Sequence, residues 1–259
     1  MNRLRLLIGA LFLSALVLPA PVAFAGNAAN VVDIRVDGAS NRLLFLAPPA
    51  RPAAAVVMFP GGDGVIAITD DGAIAKPNNF LIRTRDLWLA QGLLFVAVDT
   101  PPGQGRARTG DAGQRAIAAI VAEVKKRTGA PIWLVGTSAG APAAMAGAAS
   151  LPAGAIHGAA ISSPVSTGGR RETVFDVKLE SIAVPVLIQI HEDDGCQLTP
   201  PANAQRIKSA LTAAPAVEIQ QFSGGSYPRS GPCEALAPHG FLGIEDKVVA
   251  AAAGWIKQH

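Results

Sequence analysis

The stretch Pro131-Ile132-Trp133-Leu134-Val135-Gly136-Thr137-Ser138-Ala139-Gly140, followed by the small-residue run Ala141 to Ala149, decides how this chain is read. An apolar run of strand length, a glycine-flanked turn centred on serine and a helix-forming run make the strand–turn–helix pattern of a nucleophile elbow. A serine held in a strained turn, with its Oγ projecting from a sheet edge, needs neighbours without Cβ atoms so that strand and helix can approach closely. The pentapeptide by itself is weak, because glycine, alanine and serine abound here and an ordinary serine-containing turn would look the same. Its place between a strand and a helix is what points to catalysis.

Outward from the elbow, apolar runs alternate with helical stretches, the pattern of a mostly parallel sheet covered on both faces. Strands are predicted over Val31 to Val36, Arg42 to Leu46, Ala53 to Phe59, Leu93 to Val98, Ile132 to Val135, Ile156 to Ile161, Val184 to Ile190 and Val217 to Phe222. The first two read as an antiparallel hairpin around Asp37-Gly38. Helices are predicted over Phe80 to Ala90, Gln114 to Arg127, Ala141 to Ala149, Pro201 to Leu211 and Glu245 to Lys257, with Gly92 and Gly129 placed as C′ residues. Pro131, Pro185 and Pro215 stand just before strands, where proline does not interrupt a ladder. Ligands of such open sheets bind beyond the carboxyl ends of the strands, so site residues are expected just after them.

The N-terminus carries Arg3 and Arg5, the apolar stretch Leu6 to Leu18 and a small-x-small sequence, Ala23-Phe24-Ala25, before Gly26. This reads as a secretory signal peptide over residues 1–25. Pro19 and Pro21 interrupt the run short of the roughly 20 apolar residues that span a bilayer, so no stable membrane anchor is expected after cleavage. Residues 26–259 then form one α/β domain, exported to the periplasm or beyond. The net charge is +3, and two of the arginines leave with the leader, so nothing favours nucleic acid or an anionic membrane as partner. Cys196 and Cys233 are the two cysteines, and export permits a disulfide between them. The loop it would close stabilises the fold by up to ~4 kcal/mol in the chain-entropy picture.

A serine hydroxyl becomes a nucleophile when a base removes its proton and a third group fixes the base's tautomer. Among the four histidines, His259 is terminal and His157 starts a strand at the opposite edge of the sheet. His239, in Ala237-Pro238-His239-Gly240-Phe241, lies in a glycine-flanked loop after the last strand and is the candidate base. The acid comes from the turn His191-Glu192-Asp193-Asp194-Gly195-Cys196 after the penultimate strand, with Asp194 preferred to Asp193 and Glu192 trailing both. His191 precedes the acid on the same turn and is assigned to shaping it. No metal and no organic cofactor is implied, since the histidines and carboxylates lack a ligand spacing such as His-Glu-x-x-His.

With Ser138, Asp194 and His239 in that order, and with Pro60-Gly61-Gly62-Asp63-Gly64 after the third strand, the chain resembles the α/β-hydrolases, in particular their small secreted bacterial members. The resemblance covers nearly all of residues 26–259. It implies a serine hydrolase, a carboxylesterase acting on a small-molecule ester, with an oxyanion hole built from the N–H of Ala139 and that of Gly62 or Asp63. The glycine loop departs from the lipase pattern His-Gly-Gly-Gly by starting with Pro60 and including Asp63, which leaves the second donor open between those two. It also places a Cys196–Cys233 bridge between the acid loop and the base loop. The segment Pro164 to Ala183, where many relatives insert a lid, is short and polar, so no large cap domain is expected. Arg106 and Arg108 fall at the substrate edge, where they would either recognise an acidic group or stand as solvated surface. Asn79 and Thr69 are candidate pocket residues. A secreted peptidase, a thioesterase, a polyester depolymerase and a catalytically idle binding protein of the same fold remain as alternatives.

Overall fold

A computed structural model describes residues 30–103, 108–169 and 171–259. The leader read over residues 1–25 lies outside the described residues, as do Arg106 and Arg170.

The chain opens with strands β1 (Asn30–Val36) and β2 (Ala39–Leu46), antiparallel across a two-residue turn in which Asp37 and Gly38 have φ of 50° and 80°. Left-handed conformations at both turn positions match the twist of a hairpin, which is why Asp-Gly serves there. Six further strands follow: β3 (Ala55–Phe59), β4 (Leu94–Asp99), β5 (Ile132–Thr137), β6 (Gly158–Ser162), β7 (Val186–His191) and β8 (Val217–Phe222). They form one sheet in the order β1-β2-β4-β3-β5-β6-β7-β8, parallel from β4 to β8 and antiparallel only at β1 and β2.

Period-two alternation sorts each central strand into two cores. On β3, Ala55, Val57 and Phe59 face a core with helices α3 (Asp111–Arg127), α4 (Ala141–Ser150) and α5 (Ala204–Ala210). Val56 and Met58 face the other core, with α1 (Phe80–Arg83), α2 (Arg85–Ala90) and α6 (Glu245–Gln258). Strands buried on both faces explain the near-continuous apolar runs. The chain steps from β3 out to β4 on one side and returns past it to β5 on the other. The crevice beyond the ends of β3 and β5 is therefore the topological switch point.

Two local expectations change. The helix predicted over Phe80 to Ala90 is broken at Thr84, whose buried hydroxyl donates to the Phe80 carbonyl at 2.7 Å and accepts from Trp88 Nε1 at 3.1 Å. A hydroxyl that competes for the helix's own carbonyl loosens the ladder there. Gly92 is the left-handed C′ residue of α2, with φ 76°, but Gly129 is not left-handed. Thr128 instead leaves α3 extended and caps the exit by accepting the Ala130 N–H at 3.0 Å. Among the described residues, the segment Pro164 to Ala183 has two single 3₁₀ turns and plugs Val174, Leu179 and Ile182 into the core, and no large cap covers the sheet edge.

Candidate active site

At the end of β5 the backbone turns through Ser138 with φ of 52° and enters α4 by a 3₁₀ turn. A left-handed φ on a non-glycine residue is strained and persists only where the surroundings enforce it. They do so by contact. A Cβ on Gly136 would stand 2.5 Å from the Gly140 carbonyl oxygen, and one on Gly140 would stand 2.0 Å from that of Phe59. No side chain fits at either position.

The acid turn resolves among its three carboxylates. Glu192 and Asp193 are exposed, whereas Asp194 is buried. Asp194 Oδ1 accepts the Cys196 N–H at 3.0 Å, and Oδ2 accepts from the Thr199 hydroxyl at 2.9 Å and meets His239 Nδ1 at 3.0 Å. With the carboxylate accepting, Nδ1 carries the ring proton and Nε2 keeps its lone pair. His191 shapes the turn: its Nδ1 accepts the Asp193 N–H at 3.1 Å, so Nε2 donates to the Gly224 carbonyl at 2.9 Å. His157 Nδ1 accepts from the Ile132 N–H, and the His259 ring lies against Trp255, so both are structural.

His239 sits in a 3₁₀ turn, Pro238–Gly240, fixed from several directions. Its carbonyl accepts from the Ser163 hydroxyl at 2.9 Å. Phe241, fully buried, follows it and packs on Phe80 and Phe222 at centroid distances of 5.0 and 5.9 Å, an anchor contributing about 2–3 kcal/mol of burial. Cys196 and Cys233 are bridged, with an S–S distance of 2.02 Å, joining the acid turn to the segment leading into His239.

Ser138 and His239 border one cavity of about 740 Å³, whose lining also includes Gly62, Asp63, Asn79 and Cys233. Ala139 is not part of the lining but follows Ser138 in the turn. Thr69 does not reach the cavity: its hydroxyl contacts Asp71 and the Ala73 carbonyl inside a small loop closed by an Ile68–Ile74 bridge.

Arg108 corrects the solvated reading, and it is not among the residues that line the cavity of Ser138 and His239. It is 6% exposed, and its Nη1 and Nη2 donate to the carbonyls of Pro60 at 2.8 Å and Gly62 at 3.1 Å. Burial pulls its pKa down to about 10, opposed by Asp63 and Glu172, so the guanidinium stays charged at neutral pH. Gly64 makes the room: with φ 73°, its missing Cβ would lie 2.6 Å from Arg108 Nη2. Glu172 completes the brace by accepting the Arg108 N–H at 2.7 Å and the Thr109 hydroxyl at 2.7 Å. The glycine loop is thus tied down from behind by a fork of charge-assisted bonds.

The chain matches no protein-family model and no curated protein sequence. Solved structures do match it over most of its length. A cold-adapted esterase from an Arctic intertidal metagenomic library is 17% identical, with a TM-score of 0.59 over 89% of this chain and 93% of that one. Dienelactone hydrolase from Anabaena variabilis is 13% identical, with a TM-score of 0.64 over 89% and 97%. A soluble variant of monoglyceride lipase from Saccharomyces cerevisiae is 13% identical, with a TM-score of 0.63 over 93% and 99%. At such identities the likeness establishes the α/β-hydrolase fold.

Proposed function

We propose that the chain is an exported serine hydrolase of one domain, residues 26–259, that cleaves a small carboxylic ester through an acyl-enzyme. The observation that carries the reading is the convergence on one cavity of a strained Ser138 and a His239 whose Nδ1 is engaged by the buried Asp194. His239 Nε2 takes the Ser138 proton as Oγ bonds to the ester carbonyl carbon. It then gives that proton to the departing alkoxide as the C–O bond breaks. In deacylation it takes a proton from water as the water oxygen bonds to the acyl carbon, and returns that proton to Ser138 Oγ as the acyl C–O bond breaks and the acid is released. The oxyanion formed in each half-reaction is met by the Ala139 N–H and by that of Gly62 or Asp63, on a loop whose opposite side Arg108 holds. The esterase and lipase neighbours support hydrolysis as the chemistry. The Cys196–Cys233 bridge supports an oxidising compartment, and no helix among the described residues is long and apolar enough to cross a membrane.

The test is turnover of p-nitrophenyl acyl esters of increasing chain length by the mature protein beside its Ser138→Ala variant. Turnover abolished in the variant is expected, and the optimum chain length sizes the acyl pocket. Turnover equal in the two proteins would end the serine-nucleophile reading.

A further inference from the structure

We propose that Asn79 is a side-chain donor to the reacting carbonyl oxygen of the substrate, a third member of the oxyanion hole beside the two backbone N–H groups. The proposal rests on the ester-hydrolase reading above. Asn79 lies at the head of α1 and lines the same cavity as Ser138 and His239. Its Oδ1 accepts the Leu81 N–H at 3.0 Å, which commits the acceptor end of the amide to capping the helix. The donor end is left over. Among the described residues Nδ2 has no protein acceptor, and it is not sealed away from solvent.

The geometry around Gly61 says where that donor points. A Cβ placed on Gly61 would stand 3.0 Å from Ser138 Cβ, 3.2 Å from the Thr137 carbonyl oxygen and 3.5 Å from Asn79 Nδ2. The Asn79 amide and the Cβ of Ser138 therefore flank one small space, which glycine keeps open and any side chain would fill. That space adjoins the glycine loop, where the carbonyl oxygen must sit for the loop's N–H groups to reach it. When Ser138 Oγ attacks, the carbonyl π pair moves onto that oxygen, and a neutral N–H donor already in place gains strength with the charge.

The backbone that carries Asn79 is also held in advance of binding. Arg83 donates to the Asn78 carbonyl at 2.9 Å, to the Gly240 carbonyl, and to Glu245 at 3.0 Å. One guanidinium thus fastens the Asn79 wall to the turn that carries His239. A donor fixed in this way needs little reorganisation in the transition state.

Asn79→Asp keeps the capping oxygen and removes the donor, and Asn79→Ser keeps a shorter cap without adding charge. Both are expected to melt close to the parent, yet to lower kcat on p-nitrophenyl butanoate by about 10- to 100-fold with KM little changed. The Asp variant should fall further, because its charge opposes the oxyanion. A kcat within about twofold of the parent in Asn79→Ser, or a loss confined to KM, would overturn the proposal. So would a loss of rate that merely tracks a loss of folded protein. Labelling of Ser138 by a fluorophosphonate, run in parallel, separates the two readings. If the parent neither turns over esters nor is labelled, the hydrolase reading falls and this one with it; if it does both and the variants match it, this one alone falls.

Discussion

The nucleophile elbow and the pair of loops bearing Asp194 and His239 meet at one sheet edge but are held in place by different means. The elbow is fixed at close quarters, by backbone packed against backbone: Gly136 against Gly140 within the turn, and Gly140 against Phe59 of the neighbouring strand. The acid and base loops are fixed at long range, by the Cys196–Cys233 bridge, the Asp194–His239 contact, the Phe241 anchor and the bond from Arg83 to the Gly240 carbonyl. A serine that must keep an unfavourable φ is set by close-packed neighbours with no side chains to rearrange. In the proposed mechanism His239 gains and loses a proton twice per turnover, and it is held by side-chain bonds arranged about its ring and its backbone.

The sharpest break in this comparison is Asp194→Asn. It leaves the loop's shape but turns an acceptor into a group that no longer favours the Nδ1–H tautomer, and kcat should fall by about 10⁴-fold with little change in melting temperature. Asp193→Asn, on the exposed neighbour, is the control. An equal loss there would mean that the acid had been misassigned.

Next in size is Gly140→Ala, for which the local account predicts failure of packing rather than of chemistry. A Cβ 2.0 Å from the Phe59 carbonyl oxygen must push the elbow away from β3. Destabilisation of about 3 kcal/mol or more by urea titration, with activity lost in the remaining folded protein, is the expected result. A variant of parental stability would show that the elbow can relax, and that the strain at Ser138 is not enforced by contact.

The smallest effect belongs to the long-range side. Replacing both Cys196 and Cys233 by alanine should cost about 2–4 kcal/mol in unfolding free energy. It should lower kcat less than Asp194→Asn, because the carboxylate and Phe241 still hold the histidine. If the double variant lost as much activity as the triad substitution, the bridge rather than the side-chain bonds would be what positions His239.

The same division explains what could be read from the chain. The strands, the elbow, the acid turn and the histidine loop are marked by short signals: apolar runs of strand length, Gly-x-Ser-x-Gly, and a carboxylate or a histidine beside glycine just past a strand. Asp194 is preferred to Asp193 because Gly195 marks the turn, and Asp194 is the buried one of the two and the one that meets the Thr199 hydroxyl and His239. Arg108 was not legible. Nothing in its neighbours tells that its guanidinium will be buried against the carbonyls of Pro60 and Gly62, nearly fifty residues earlier. Gly64 held a trace of it, as a glycine whose absent side chain admits the arginine. Thr84 failed as a helix residue for a related reason: its hydroxyl found a carbonyl in its own helix and an indole N–H to satisfy at once.

The disulfide has a topological consequence as well. Cys196 precedes α5 and β8 and Cys233 follows them, so the bridge closes a covalent loop that includes the strand forming one open edge of the sheet. Open edges invite pairing with other chains, and a strand that peels away can be exchanged between two copies. As part of that closed loop, β8 is no longer a free arm. It can loosen, but it cannot travel to a neighbouring molecule without carrying the acid and base loops with it, so the oxidised protein is protected against domain swapping at the edge nearest its own chemistry.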